Sequence, residues 1–182
     1  MLVLIIGVLL WVAAHSFKRY APAARAKMGD KAKGPVALVS ILAIVVMVIG
    51  YRMAPAEPFW WGRHPATVGI NNLLMVFSVY LFAASGMKTW ITSKIRHPQL
   101  TAVKAWAIAH LLVNGDGPSF ILFGGLLAWA VYEVIAINRQ DKPAKNTGPF
   151  PVGKEIGAAV GTVVVFGVIA AIHYWLGYPV FG

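Results

Sequence analysis

The sequence predicts an all-α membrane protein built as a bundle of about six transmembrane helices. Of its 182 residues, 59% are hydrophobic and 12% are charged, whereas soluble domains carry about a quarter charged residues. Six apolar runs approach the ~20 residues that a helix needs to cross a bilayer. Nearly all basic residues fall in alternate connections between these runs. We therefore expect a single integral membrane domain over residues 1–182.

The six apolar runs differ in length and in polar content. The fourth is short and carries Lys104 and His110, so it can cross the membrane only if neighbouring helices shelter its polar groups. Gly153, Gly157 and Gly161 recur at four-residue spacing around the start of the sixth run, which predicts close helix packing. The runs are Leu2 to Phe17, Val36 to Tyr51, Thr67 to Ala84, Leu100 to Val113, Ser119 to Ile137 and Ile156 to Leu176.

The basic residues predict the orientation of these spans. All except Arg52 and Arg63 lie between spans one and two, around the start of span four, or between spans five and six. The positive-inside rule assigns those three regions to the cytoplasmic side. Both termini then lie on the outer, periplasmic side of a bacterial cytoplasmic (inner) membrane. The same placement explains the net charge of +10 through contact with membrane lipid, and predicts no nucleic-acid partner.

Two histidines lie within predicted spans on different helices. The chain has no cysteine, so a metal or haem iron must be held by histidine, carboxylate or methionine. His15 is near the cytoplasmic end of span one, and His110 is expected near the middle of span four, sharing a face with Trp106 and Asn114 at i, i+4, i+8 spacing. A buried imidazole needs a hydrogen-bond partner for each ring nitrogen or a metal for one of them. The pair therefore predicts either hydrogen-bonded core histidines or the two axial ligands of a haem.

Two further features lie near the ends of predicted spans, the Arg96-His97-Pro98 sequence and His173. Arg96-His97-Pro98 precedes span four, where proline suits the first helical position. The positive end of that helix, with Arg96 beside it, would attract an anion, although the arginine also fits an ordinary cytoplasmic flank. His173, near the outer end of span six, is a third intramembrane histidine, expected to lie too far from His15 to share one iron.

Arg96-His97-Pro98-Gln99, followed by Trp106-Ala-x-Ala-His110-Leu-Leu-x-Asn114-Gly115-Asp116, resembles the NnrU family of bacterial membrane proteins. His15-Ser16 at the end of the first span also fits, and the resemblance runs along the full chain. It implies an association with nitrite and nitric oxide reductase function in denitrifying bacteria.

The same superfamily includes the zeta-carotene isomerase of plants and cyanobacteria, a membrane enzyme that uses haem b with histidine ligation. This resemblance implies that His15 and His110 ligate the iron and that Arg96 lies near a propionate. His97, Trp106 and Asn114 would line the same cofactor site. The isomerase carries a cysteine three residues before the later histidine, where this chain has Ala107. The analogy therefore concerns the cofactor and not the substrate.

Three functions stay open, and the sequence does not decide whether the protein is an enzyme. The first is a haem b isomerase or redox enzyme acting on a lipid-soluble substrate. The second is a non-catalytic assembly factor whose partners are the proteins of respiratory nitrite or nitric oxide reductases. The third is a methyltransferase, because Arg-His-Pro also resembles the S-adenosylmethionine site of isoprenylcysteine and phospholipid methyltransferases. The later acidic pair of those enzymes is missing, since Glu133 and Glu155 stand alone.

Overall fold

The computed structural model describes residues 1–181, and these are mostly helical. Its elements in chain order are α1 (Leu2–Tyr20), α2 (Pro22–Met28), a 3₁₀ turn (Gly29–Ala32), α3 (Lys33–Met53), β1 (Phe59–Trp61), α4 (Pro65–Met87), α5 (Ile91–Lys94), α6 (Pro98–Val113), β2 (Gly115–Asp116), α7 (Gly117–Ser119), a π-helical turn (Phe120–Gly124), α8 (Gly125–Gln140) and α9 (Val152–Trp175).

Among residues 1–181, five helical stretches are long and apolar enough to cross a membrane, which supports the prediction of a helical membrane protein. The short α6 is not among them. Its 16 residues span about 24 Å, less than the ~30 Å of a hydrocarbon core. Six spans therefore stay a prediction. The five stretches are Leu2–Tyr20, Pro22–Met53, Pro65–Met87, Gly117–Gln140 and Val152–Trp175.

The chain forms two compact units. The first unit comprises Met1–Trp60 and Gly115–Trp129, and the second comprises Trp61–Asn114 together with the chain from Ala130 onward. The first unit is built on α1 and α3, which pack along each other. The second is built on α4, which packs against both α6 and α9.

Small residues set the distance between α1 and α3. A Cβ atom placed on Gly7 would lie 2.7 Å from the backbone nitrogen of Met47. One placed on Gly50 would lie 2.6 Å from Cα of Leu4 and would also overlap the nitrogen of that residue. Glycine at these crossings lets two helix backbones approach closely enough for dispersion contacts to hold them together in lipid.

In the second unit, α4 meets α6 at a buried hydrogen bond and meets α9 at a glycine. The hydroxyl of Ser78 in α4 donates to the carbonyl of Ala102 in α6 at 2.8 Å. A Cβ on Gly157 would lie 3.1 Å from Sδ of Met87 in α4, whereas one on Gly153 or Gly161 would meet nothing within 4 Å. The close packing predicted for three glycines therefore occurs at one of them.

The connections around α4 and α9 are anchored by side chains. The Glu155 carboxylate accepts a hydrogen bond from the backbone N–H of Trp90 at 2.7 Å. The Asn146 amide donates to the carbonyl of Lys88 at 3.1 Å and to the hydroxyl of Thr92 at 3.0 Å. These bonds place the first turn of α9 beside the last turn of α4, which means that the two helices run antiparallel.

The number of spans and their orientation can be tested by labelling single cysteines, because the natural chain contains none. Ala24, Ala56 and Ala144 are exposed and lie in three different connections. With six spans and outer termini, a membrane-impermeant thiol reagent applied to intact cells should label Ala56→Cys. It should label Ala24→Cys and Ala144→Cys only after the cells are opened.

Ala144→Cys decides whether α6 crosses the membrane. If α6 does not cross, Ala144 moves to the outer side while Ala24 and Ala56 keep theirs. Labelling of Ala144→Cys in intact cells would therefore refute six spans. Labelling of Ala24→Cys in intact cells would instead refute the orientation predicted from the basic residues.

Candidate functional site

The Arg-His-Pro element starts α6, as the sequence predicts. His97 is the residue before the helix, and its side chain does not cap the helix N-terminus. Instead, its Nε2–H donates to the Asn138 amide oxygen at 2.9 Å. The Nε atom of Arg96 is buried and has no hydrogen-bond partner among the described residues.

Trp106, His110 and Asn114 follow one another along one face of α6. The Nδ1–H of His110 donates to the carbonyl of Trp106 at 2.9 Å, and the two rings lie 5.1 Å apart. The amide of Asn114 donates to the carbonyl of His110 at 2.9 Å, where α6 ends. Asn114 therefore has a structural role as the residue that closes the helix, and its place in a cofactor site stays a prediction.

In the second unit, the structure places the Arg96-His97 part of the predicted site far from His110. His110 lies in the last turn of α6 and not near its middle, which corrects the prediction from the apolar run. Twelve residues separate Pro98 from His110, or about 18 Å along the helix. Arg96 and His97 therefore lie at one end of α6, while His110 and Asn114 lie at the other.

His15 belongs to the first unit and sits in an aromatic cluster. Its ring stacks on Trp11 with centroids 3.8 Å apart and meets Trp129 edge-on at 5.4 Å. Its Nδ1–H donates to the carbonyl of Trp11 at 3.0 Å. The indole N–H of Trp129 donates to the Ser16 hydroxyl at 3.3 Å, but that of Trp11 is buried without a partner among the described residues. The cluster therefore offers one unused N–H donor beside a half-buried imidazole.

His173 repeats the arrangement of His15 in α1 and His110 in α6. Its Nδ1–H donates to the carbonyl of Ile169, four residues earlier, at 2.8 Å. In all three, the bond from Nδ1 directs Nε2 away from the parent helix. Histidine ligands of metals are normally oriented by such a bond from the second ring nitrogen to a carbonyl or carboxylate.

The number of side chains that lie together limits which metal groups the described residues could hold. Among residues 1–181 there is no group of three or more His, Asp or Glu side chains that could hold a metal. Zinc takes three or four ligands from the protein, whereas a haem iron takes four from the porphyrin and needs only one or two imidazoles. His15, His110 and His173 are each hydrogen-bonded to a backbone carbonyl, and each could supply one such imidazole.

The adjacent amides Asn71 and Asn72 of α4 are not among the site residues predicted from the sequence. Asn71 is buried, with 9% of its surface exposed, and its amide donates to the Asn72 oxygen at 3.0 Å. Asn72 in turn donates to the carbonyl of Val180 at 3.0 Å, which ties the C-terminal segment to α4. The sequence signal that could have identified them is the presence of two adjacent amides within an apolar run. Polar groups in a membrane helix tend to face protein partners.

These features define a helical membrane protein that carries histidine and amide side chains within its apolar helices. The chain belongs to the NnrU protein family, whose model matches residues 3–180, nearly its whole length. The resemblance found from the Arg-His-Pro and Ala-His-Leu elements is thus confirmed. No curated protein and no solved structure matches the chain.

Proposed function

We propose that this NnrU protein binds haem b inside the membrane, and that His110 would ligate its iron. The observation that carries the proposal is the tie between the Nδ1–H of His110 and the Trp106 carbonyl at 2.9 Å. With Nδ1 bonded in this way, Nε2 would be the ligating atom, which is how proteins orient metal-binding imidazoles. When bound, the haem would supply a redox-active iron whose potential depends on its axial ligands and its apolar surroundings.

A lipid-soluble substrate is the second part of the proposal, as expected of an isomerase or redox enzyme buried in a bilayer. Three buried side-chain atoms have no hydrogen-bond partner among the described residues, and two of them lie at or beside predicted site residues. The Trp11 N–H lies beside His15 in the first unit, and the Arg96 Nε–H lies at the start of α6 in the second. Arg96 lies just before α6, whose first residue is about 18 Å along the helix from His110, which favours a separate anionic group there over a propionate of a haem at His110.

The family's association with nitrite and nitric oxide reductases would connect this activity to denitrification. The superfamily analogy also implies His15 as a haem ligand. His15 and His110 lie in different units, so each ligand assignment has its own variant in the experiment.

The test is an absorption spectrum of the full chain, purified in mild detergent from cells supplied with haem and recorded before and after reduction. We expect a Soret band and the sharp reduced bands of low-spin haem. His110→Ala should lose the low-spin spectrum, either because haem is lost or because one axial ligand is missing. His64→Asn is the matched control, since His64 is exposed before α4 and asparagine preserves its capping role.

Two outcomes would contradict the proposal. A low-spin spectrum that persists in both His110→Ala and His15→Ala would exclude these histidines as ligands. A wild-type protein without haem, despite supplementation, would leave the histidines as structural groups. The favoured function would then be the non-catalytic assembly factor, which predicts that respiratory-complex proteins co-purify with the chain.

A further inference from the structure

The level of His110 along α4 follows from the packing of α6. The indole N–H of Trp61, just before α4, donates to the Leu111 carbonyl near the end of α6 at 3.0 Å. The Ser78 hydroxyl donates to the Ala102 carbonyl at 2.8 Å, so the two helices run antiparallel. Moving eight residues from this contact along each helix leads to Ile70 in α4 and to His110 in α6. Both distances are about 12 Å. His110 therefore lies level with Ile70, close to the end at which α4 begins.

The level of His173 follows from the packing of α9 in the same way. A Cβ on Gly157 would touch Sδ of Met87, and Glu155 binds the backbone of Trp90 just beyond α4. Moving sixteen residues from Gly157 along α9 leads to His173, and moving sixteen residues back from Met87 leads to Asn71. Both distances are about 24 Å, so His173 lies level with Asn71.

The two imidazoles therefore share one level of the second unit, within one residue along α4. Each projects from a helix that packs on α4, and in the described chain α6 and α9 do not pack extensively against each other. The buried amide of Asn71 occupies the same level. Two Nε2 atoms are thus presented from two helices that flank a third.

We propose that His110 and His173 form a two-imidazole ligand site within the second unit, in which His173 would be the second protein ligand of the iron. This inference rests on the proposed haem function and deepens it. It assigns both ligands to helices α6 and α9. It also replaces the pairing of His110 with His15 that the superfamily analogy implies.

The test compares the ferric spin state of the full-length protein in four variants, by absorption and by electron paramagnetic resonance. We expect the low-spin signal of wild type to be lost in His173→Ala and in His110→Ala, and to return when free imidazole is added. His15→Ala and His64→Asn should keep the full low-spin signal. Helical content and elution volume of each variant report whether it is folded.

A second substitution keeps the proposal testable if His173→Ala does not fold. His173→Met replaces a nitrogen ligand by a thioether, so the haem should stay low-spin while its reduction potential rises. An unchanged potential in His173→Met, or a low-spin signal in folded His173→Ala, would overturn the assignment. Loss of that signal in His15→Ala but not in His173→Ala would overturn it and leave the haem function intact. Wild type without haem would refute both.

Discussion

Replacing Gly50 by alanine should markedly destabilise the first unit. A Cβ at this position would overlap the backbone of Leu4 and lie 2.8 Å from the carbonyl carbon of Val3. Backbone atoms cannot rotate away as a side chain does, so α1 and α3 must separate along their contact. Overpacking typically costs about 1–3 kcal/mol, and we expect the upper part of that range here. The measurement is the free energy of unfolding in detergent, or the midpoint of thermal unfolding.

Gly34→Ala is the matched control for this variant because Gly34 lies in the same helix. A Cβ on Gly34 meets nothing within 4 Å, so the substitution should cause no loss of stability. Alanine is the better helix former, and a small gain would agree with this expectation. Equal stability of Gly50→Ala and Gly34→Ala would show that α1 and α3 do not approach as closely as the structure indicates.

Replacing Gly117 by alanine should disrupt the segment that leads into α8. A Cβ on Gly117 would lie 2.6 Å from the carbonyl oxygen of Glu57, and the Gly117 N–H already donates to the Pro58 carbonyl at 2.9 Å. The backbone has to move to relieve the overlap, which puts that hydrogen bond at risk. Two residues later, Ser119 is fully buried and its hydroxyl bonds the Tyr51 hydroxyl at 2.8 Å. We expect a loss of about 1–3 kcal/mol.

A double-mutant cycle separates this local displacement from a general loss of stability. Ser119→Ala alone should cost about 1 kcal/mol, the usual net value of a buried hydrogen bond. On the Gly117→Ala background it should cost less, because the displaced segment no longer holds the hydroxyl against Tyr51. Gly124→Ala is the control in the same region, since a Cβ there meets nothing within 4 Å. Strict additivity of Gly117→Ala and Ser119→Ala would contradict the coupling.

The helices of the structure extend the predicted spans by a few residues, and the reasons are local. α3 begins at Lys33 rather than at Val36, because proline is tolerated in the first turn of a helix. The fifth predicted span begins with α7 and a π-helical turn before α8, a variation that leaves the hydrophobic run unchanged. Apolar length and flanking charge are properties of consecutive residues, so they predict spans but not exact ends.

In the candidate site, too, the spacing of residues predicts some features and leaves others undefined. The i, i+4 spacing of Trp106 and His110 is enough to predict that they share a helical face, and the structure adds the bond from Nδ1 to the carbonyl. The spacing could not show that Arg96 and His110 occupy opposite ends of α6. The helix begins at Pro98 and closes at Asn114, so both ends of this polar stretch serve partly as helix boundaries.

The sequence by itself determined the membrane-helix character, the absence of thiolate chemistry and the family. Each depends on composition or on residues that are close along the chain. Only the tertiary structure decided that Gly50 and Gly117 are close-approach positions and that His110 and His173 share one level. Those facts depend on the register between helices distant in sequence, which is decided by contacts such as Ser78 with Ala102 and Gly157 with Met87. Helical periodicity leaves that register undefined, because an antiparallel helix can slide by whole turns without changing its apolar face.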